Sequence, residues 1–175
     1  MDWLDRISIW AIVILIISSF ALISGHVGEA RPERHLQQRV ITADHPAAQS
    51  EMENNLKLVK NLMDADNLDQ SETLIKELIQ KFPYEAAPHM LMGDVHMRRQ
   101  DPIRAVLEYK EAVGFNPDYL DKKTPFFQGK KLKVAVGEAL AEIDKGLRRN
   151  PSDESLKNKR KVIYFLQRKI AGSCS

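Results

Sequence analysis

Side chains able to do chemistry are few in this chain, and their spacing argues against most of the chemistry they might serve. His89 and His96 stand seven apart, which puts both rings on one face of a helix. Two ligands of one ion on a helix stand three or four apart, so packing is the expected role of this pair. Glu138, Glu142 and Asp144 crowd one segment without an aromatic pocket or a glycine-rich cleft around them, and surface ion pairing is expected there. Gly129-Lys130-Lys131 has the glycine–lysine step of a phosphate loop. That loop also needs a glycine five residues earlier, where Thr124 stands, and a Ser or Thr after the lysine, where Lys131 stands. Cys174 is the single cysteine, which excludes a disulfide framework within the chain and leaves no cysteine metal site. His26, His35 and His45 are too irregularly spaced for a ligand set. With no nucleophile–base pair and no dinucleotide fingerprint, the expectation is a non-enzyme without metal or cofactor.

The elements that hold these residues read as helical. The 175 residues are 43% hydrophobic and 29% charged, enough for a packed core, and aromatics make up only 7%. No long run alternates β-branched and polar residues, so an all-α domain is predicted. Ahead of it, Ile7–Gly25 is a run of 19 uncharged residues. As a helix it spans about 28 Å, close to the hydrocarbon thickness of a bilayer. Trp3 and Trp10 sit where interfacial anchors sit. The competing reading is a cleaved leader cut near Gly28-Glu29-Ala30. The apolar run is longer than a leader needs, and MDWLDR before it carries two acids and one arginine, so a retained single-pass anchor is expected after a short tail, residues 1–6. Arg31, Arg34 and Arg39 follow the run and only Arg6 precedes it, which favours a cytoplasmic domain over a periplasmic or lumenal one. Residues 26–50, with Gly28, Pro32 and Pro46, read as a linker, residues 51–171 as the folded domain, and residues 172–175 as a tail.

Within that domain the sequence repeats itself. Pro83, Pro117 and Pro151 are 34 apart, as are Ser71, Ala105 and Ala139, and Ile75, Tyr109 and Ile143. Residues 86–119 carry His89-x2-Met92-Gly93-x2-His96, then Ala105-x3-Tyr109, Ala112 and Pro117. This unit resembles the tetratricopeptide repeat (TPR) family, whose pattern is Trp-x2-Leu-Gly-x2-Tyr, Ala-x3-Phe, Ala and Pro on a 34-residue period. Gly93 and Ala105 are small where two helices approach, Tyr109 fills the space beside them, and Pro117 ends the unit. Pro102 suits the first turn of a helix. Residues 52–85 match in part, keeping Leu58, Leu62, Ser71 and Pro83 with Val59 at the glycine position. Residues 120–153 keep only the second half, Ala139 and Pro151. Pro125 and Gly129 leave their first helix short, broken or rebuilt as a loop, and Gly146 stands where alanine is usual. Residues 154–171 predict a capping helix with Leu156, Ile163, Leu166 and Ile170 on its inner stripe. The resemblance implies a right-handed array of antiparallel helical hairpins.

It also implies a partner groove lined by the first helix of each unit. The positions that map to it are Leu56, Met63, Met90, Asp94, Met97 and Arg98. Methionine is flexible and polarisable and suits an adaptable surface, while Met and Leu at helical spacing are equally read as plain core, so both readings stand for these positions. Charge divides the domain: residues 51–121 hold 8 basic and 14 acidic side chains, and residues 122–175 hold 14 basic and 5 acidic. Lys130, Lys131, Lys133, Arg148 and Arg149 form a candidate basic surface, but few aromatics interleave them, so nucleic acid is not the expected partner. The expected function is a membrane-tethered protein-interaction module, an adaptor, scaffold or assembly factor that holds a segment of another protein. The alternative is a structural subunit docked on a larger membrane complex through the basic C-terminal half.

Overall fold

The computed structural model of the protein describes residues 46–172. The expected anchor Ile7–Gly25, residues 26–45 of the expected linker, and Cys174 lie outside the described residues. Six α-helices and one 3-10 turn make up the described chain, which contains no strand. They are α1 (Pro46–Asp64), α2 (Leu68–Lys81), α3 (Ala86–Arg98), α4 (Pro102–Phe115), the 3-10 turn Pro117–Tyr119, α5 (Gly129–Arg149) and α6 (Glu154–Gly172). The domain is all-α. None of the described helices is long and apolar enough to cross a membrane. Helix α1 starts at Pro46, so the last five residues of the stretch expected as linker are already helical.

Each helix packs on the next, α1 also touches α3, and α4 also touches α6. The turns that reverse the chain repeat. Asp66 and Gln100, 34 residues apart, both have positive φ, 57° and 58°. After α1, the Asp66 N–H donates to the Met63 carbonyl at 3.0 Å and the Asn67 N–H to Leu62 at 2.8 Å. After α3, Gln100 donates to Met97 at 3.0 Å and Asp101 to His96 at 2.9 Å. This paired closure satisfies helix-end carbonyls that would otherwise be orphaned. Pro83, Pro117 and Pro151 each lie two residues beyond a helix end, at Lys81, Phe115 and Arg149. Helix α4 opens with Pro102 in its first turn, and the Asp101 carboxylate accepts from the Arg104 N–H at 3.0 Å.

The recurring small and large residues form the core. Ser71, Ala105 and Ala139, and Ile75, Tyr109 and Ile143, are all 0% exposed. Ser71 discharges its buried hydroxyl by donating to the Asn67 carbonyl at 2.8 Å. One apolar cluster joins Val59 and Met63 of α1, Ile75 and Leu78 of α2, and Leu91, Met92 and Val95 of α3. A second extends from Ala86 and Met90 through α4 and α5 to Ile163, Leu166 and Ile170 of α6. Helix α3 supplies both clusters, which is why its sequence is apolar nearly all round rather than striped.

The third unit departs from the other two. No helix forms over residues 120–128; the chain turns through Pro117–Tyr119 and is pinned by Gln128 donating to the Tyr119 carbonyl at 2.8 Å. The Thr124 hydroxyl bonds the Asp118 carbonyl at 2.8 Å and the Asp121 carbonyl at 3.0 Å. Helix α5 then runs unbroken for 21 residues. Gly146 has a packing role: a Cβ there would meet Leu156 Cδ1 at 2.7 Å, so its absence lets α6 close onto α5.

Candidate partner-binding site

Gly93 and Tyr109 set the geometry of the α3–α4 hairpin. A Cβ added at Gly93 would come under 3.0 Å from three atoms of the Tyr109 ring. The ring therefore abuts the glycine, with Ala105 and Ala112 fully buried on the same helix as the tyrosine. The hydroxyl at the end of that ring donates to Asp94 Oδ1 at 2.6 Å. Burial, and then the charge of Asp94 and this hydrogen bond, push the Tyr109 phenol well above its ordinary range, so it remains a donor.

Asp94 has a second partner. Lys131 reaches it from α5, donating from Nζ to Oδ1 at 2.7 Å and to Oδ2 at 3.0 Å. The same ammonium lies 5.4 Å from the centroid of the Tyr109 ring. Asp94, Tyr109 and Lys131 thus tie three helices together through one half-buried carboxylate, whose side chain is 25% exposed. Two residues assigned by sequence to different surfaces, Asp94 to the groove and Lys131 to the basic patch, are one structural node.

That node revises the expected groove. Met63 and Met90, expected on an open inner face, are core residues, 5% and 6% exposed. Met63 belongs to the α1–α3 cluster with Val95, and Met90 shares the second cluster with Tyr119, Leu120 and Leu132. Residues of the 117–132 stretch supply apolar partners where an empty groove was expected. Arg98 is spoken for as well: its guanidinium donates to the Met63 carbonyl at the end of α1, with Asp64 at 3.5 Å. Its neighbour Arg99 binds Asp69 and Glu72 of α2. The two arginines fasten the C-terminal end of α3 to the first hairpin. Of the six groove positions, Leu56 and Met97 remain half-buried against the two clusters. Lys130, Lys133, Arg148 and Arg149 are exposed, and Lys131 is the member of the basic set that turns inward.

The two histidines behave differently. His89 Nδ1 is 2.8 Å from Glu108 Oε2, and its ring lies 5.5 Å from that of Phe115. His96 is buried, and its Nδ1 has no hydrogen-bond partner among the described residues. Burial, and then the nearby charge of Arg104, hold the His96 pKa below the usual imidazole value, against the opposing pull of Asp101, Glu108 and Glu72. No group of three or more His, Cys, Asp or Glu side chains among the described residues is placed to hold a metal ion.

Two open features went unnoticed in the sequence, because each lies between helices rather than along one. One is a furrow of about 420 Å³ on the first hairpin, where Leu62 and Leu74 meet Asp69, Gln70, Thr73 and Glu77, with exposed Leu58 on the same helix as Leu62. The other is a cleft of about 480 Å³ between Val113, Pro117, Leu120 and the C-terminal turn of α6, edged by Lys122, Lys123 and Lys169. Periodicity shows which residues of a helix go inward, but not which helix edge remains uncovered. Compared with known proteins, the chain matches no family model and no curated sequence.

Proposed function

We propose that the protein is a membrane-tethered, non-catalytic interaction module of the TPR kind, whose domain faces the cytoplasm and holds a segment of another protein. The observation that carries this reading is the 34-residue recurrence, in which buried small and large residues, left-handed turns and turn prolines repeat on the TPR period. The close fit of Gly93 against Tyr109 is the contact that the family pattern implies. Such arrays use their stacked helices as a rigid frame for partner segments. The tether rests on the 19-residue uncharged run Ile7–Gly25.

The partner surface in this reading is the first hairpin rather than the methionine strip. Leu58 and the Leu62–Leu74 furrow offer apolar contact, and Glu77, with Asp69 shared with Arg99, gives the furrow an acidic rim. A segment with apolar anchors and basic flanks is complementary to it. The test places a photo-crosslinking residue at Leu58 or at Gln70, both exposed, in the full chain in native membranes. A single protein partner crosslinked from both positions, in a fraction that resists alkaline carbonate extraction, is the expected result. Release by carbonate refutes the tether, and the absence of a common partner refutes the furrow.

The second reading, a structural subunit docked through the basic half, is favoured by Phe126 and Val134, large apolar side chains of that half left 53% and 58% exposed. A crosslinker at Val134 that captures a stoichiometric membrane subunit, with Leu58 silent, would establish it instead.

A further inference from the structure

Helix α6 has one face in the core and one face with no described neighbour. Ile163, Leu166 and Ile170 are buried. On the opposite side Tyr164 and Phe165 are 43% and 42% exposed. Lys157, Lys161, Tyr164 and Arg168 follow the spacing i, i+4, i+7, i+11, so they line one stripe down the outer face. The helix carries six basic residues and one acidic residue. Among the described residues only two of the six are ion-paired, Lys157 with Glu154 and Arg160 with Asp144. Lys169 Nζ lies 5.1 Å over the Phe165 ring. The same lysine edges the cleft that is lined from the 120–128 connection by Lys123, Lys122 and Asp121.

We propose that this face docks on the surface of an anionic bilayer, with Tyr164 and Phe165 at headgroup depth and Lys161, Arg168 and Lys169 against acidic lipid headgroups. Aromatic side chains with an apolar body favour that depth, and cations beside them gain from the negative surface potential. The choice of a bilayer rests on charge complementarity and on the proposed tether. Twenty residues separate Gly25 from Pro46, and fully extended they reach at most roughly 70 Å, so a tethered domain stays within touching distance of its membrane. That confinement raises the effective concentration of headgroups at α6 and makes a weak contact sufficient. A single-stranded nucleic acid fits less well, because Lys169 already covers a face of the Phe165 ring on which a base would stack.

The test uses the full chain with Ala171→Cys and Cys174→Ser, carrying an environment-sensitive fluorophore on residue 171, one turn from Arg168 on the exposed side. The chain is added to vesicles of phosphatidylcholine alone or of phosphatidylcholine with phosphatidylserine. The expected result is a blue shift of emission with phosphatidylserine only, reversed by raised salt. The shift should be lost in Lys161→Glu/Arg168→Glu and in Tyr164→Ser/Phe165→Ser. These side chains are exposed, and unchanged circular dichroism confirms that each variant is folded. Equal emission in both vesicle types overturns the proposal, as does a shift produced by single-stranded RNA and not by phosphatidylserine. An alkaline wash of the same vesicles reads the Ile7–Gly25 tether separately, so loss of the tether and loss of α6 docking are told apart.

Discussion

At the scale of single residues, the two glycines Gly93 and Gly137 make opposite demands. Gly93 lies against the Tyr109 ring with no room for a methyl group, whereas nothing lies within 4 Å of a Cβ at Gly137. Gly93→Ala should therefore overpack the α3–α4 contact and cost about 1–3 kcal/mol. Gly137→Ala, at an exposed position inside α5, should stabilise by about 0.5–1 kcal/mol, since alanine loses less backbone freedom in a helix. Thermal melting of the two variants beside the parent checks both signs. His96 makes a different prediction. Its folded pKa lies below the ordinary 6.5, so as pH falls through that value the unfolded chain takes up a proton the folded chain refuses. Stability should decline from about 6.5 downward until the folded pKa is passed. Glu72 and Asp101 act in the same direction at lower pH. Hydrogen bonding from Lys76 is the largest influence on Glu72; at Asp101 burial opposes the shift and the bonds from Arg104 outweigh it, and both carboxyls end below their ordinary values. Denaturant midpoints measured against pH should fall across the imidazole range in the parent and remain level there in His96→Leu.

At the scale of elements, the turns after α1 and α3 impose the same left-handed residue on Asp66 and Gln100. Aspartate tolerates that conformation better than glutamine, and glycine adopts it freely. Gln100→Gly should raise stability by up to about 1 kcal/mol, measured as a higher denaturant midpoint with an unchanged slope, because only the turn is relieved. Neither residue is the glycine or asparagine that usually marks such a turn, so the sequence carried no local sign of it. The helix ends were legible all the same, because prolines two residues beyond α2, α4 and α5 stop each helix whatever the turn chemistry. The first half of the third unit was legible only as a disturbance. Pro125 and Gly129 disfavour a helix, but the hydrogen bonds of Gln128 and Thr124 that shape the connection reach back to Tyr119 and Asp118.

At the scale of the whole described domain, α3 couples two clusters that would otherwise be separate cores. Its Leu91, Met92 and Val95 pack with α1 and α2, while Ala86 and Met90 belong with α4, α5 and α6. Unfolding either side exposes a face of the shared helix, so the two should melt together. Val59→Ala in one cluster and Leu166→Ala in the other should each lower the stability of both, by about 1–2 and 2–5 kcal/mol respectively. Hydrogen exchange checks this: amides of α2 and of α5 should lose protection together in either variant. Protection lost on one side alone would show two independent units.

What the sequence determined by itself was everything that repeats. The 34-residue step of Ser71, Ala105 and Ala139, of Ile75, Tyr109 and Ile143, and of the three prolines predicts helices, their inner faces and their ends, because each is a local property of spacing and of backbone chemistry. The inner stripe of α6 was legible for the same reason. What only the tertiary structure decided was which surfaces remain open. Met63 and Met90 obey the same helical spacing whether they line a groove or fill a core, and the outcome depends on partners far along the chain. Met90 is buried in a cluster that draws Tyr119, Leu120 and Leu132 from further along the chain, and Asp94 is occupied because Lys131 arrives from 37 residues away. Burial is a relation between distant segments, and one-dimensional periodicity carries no term for it.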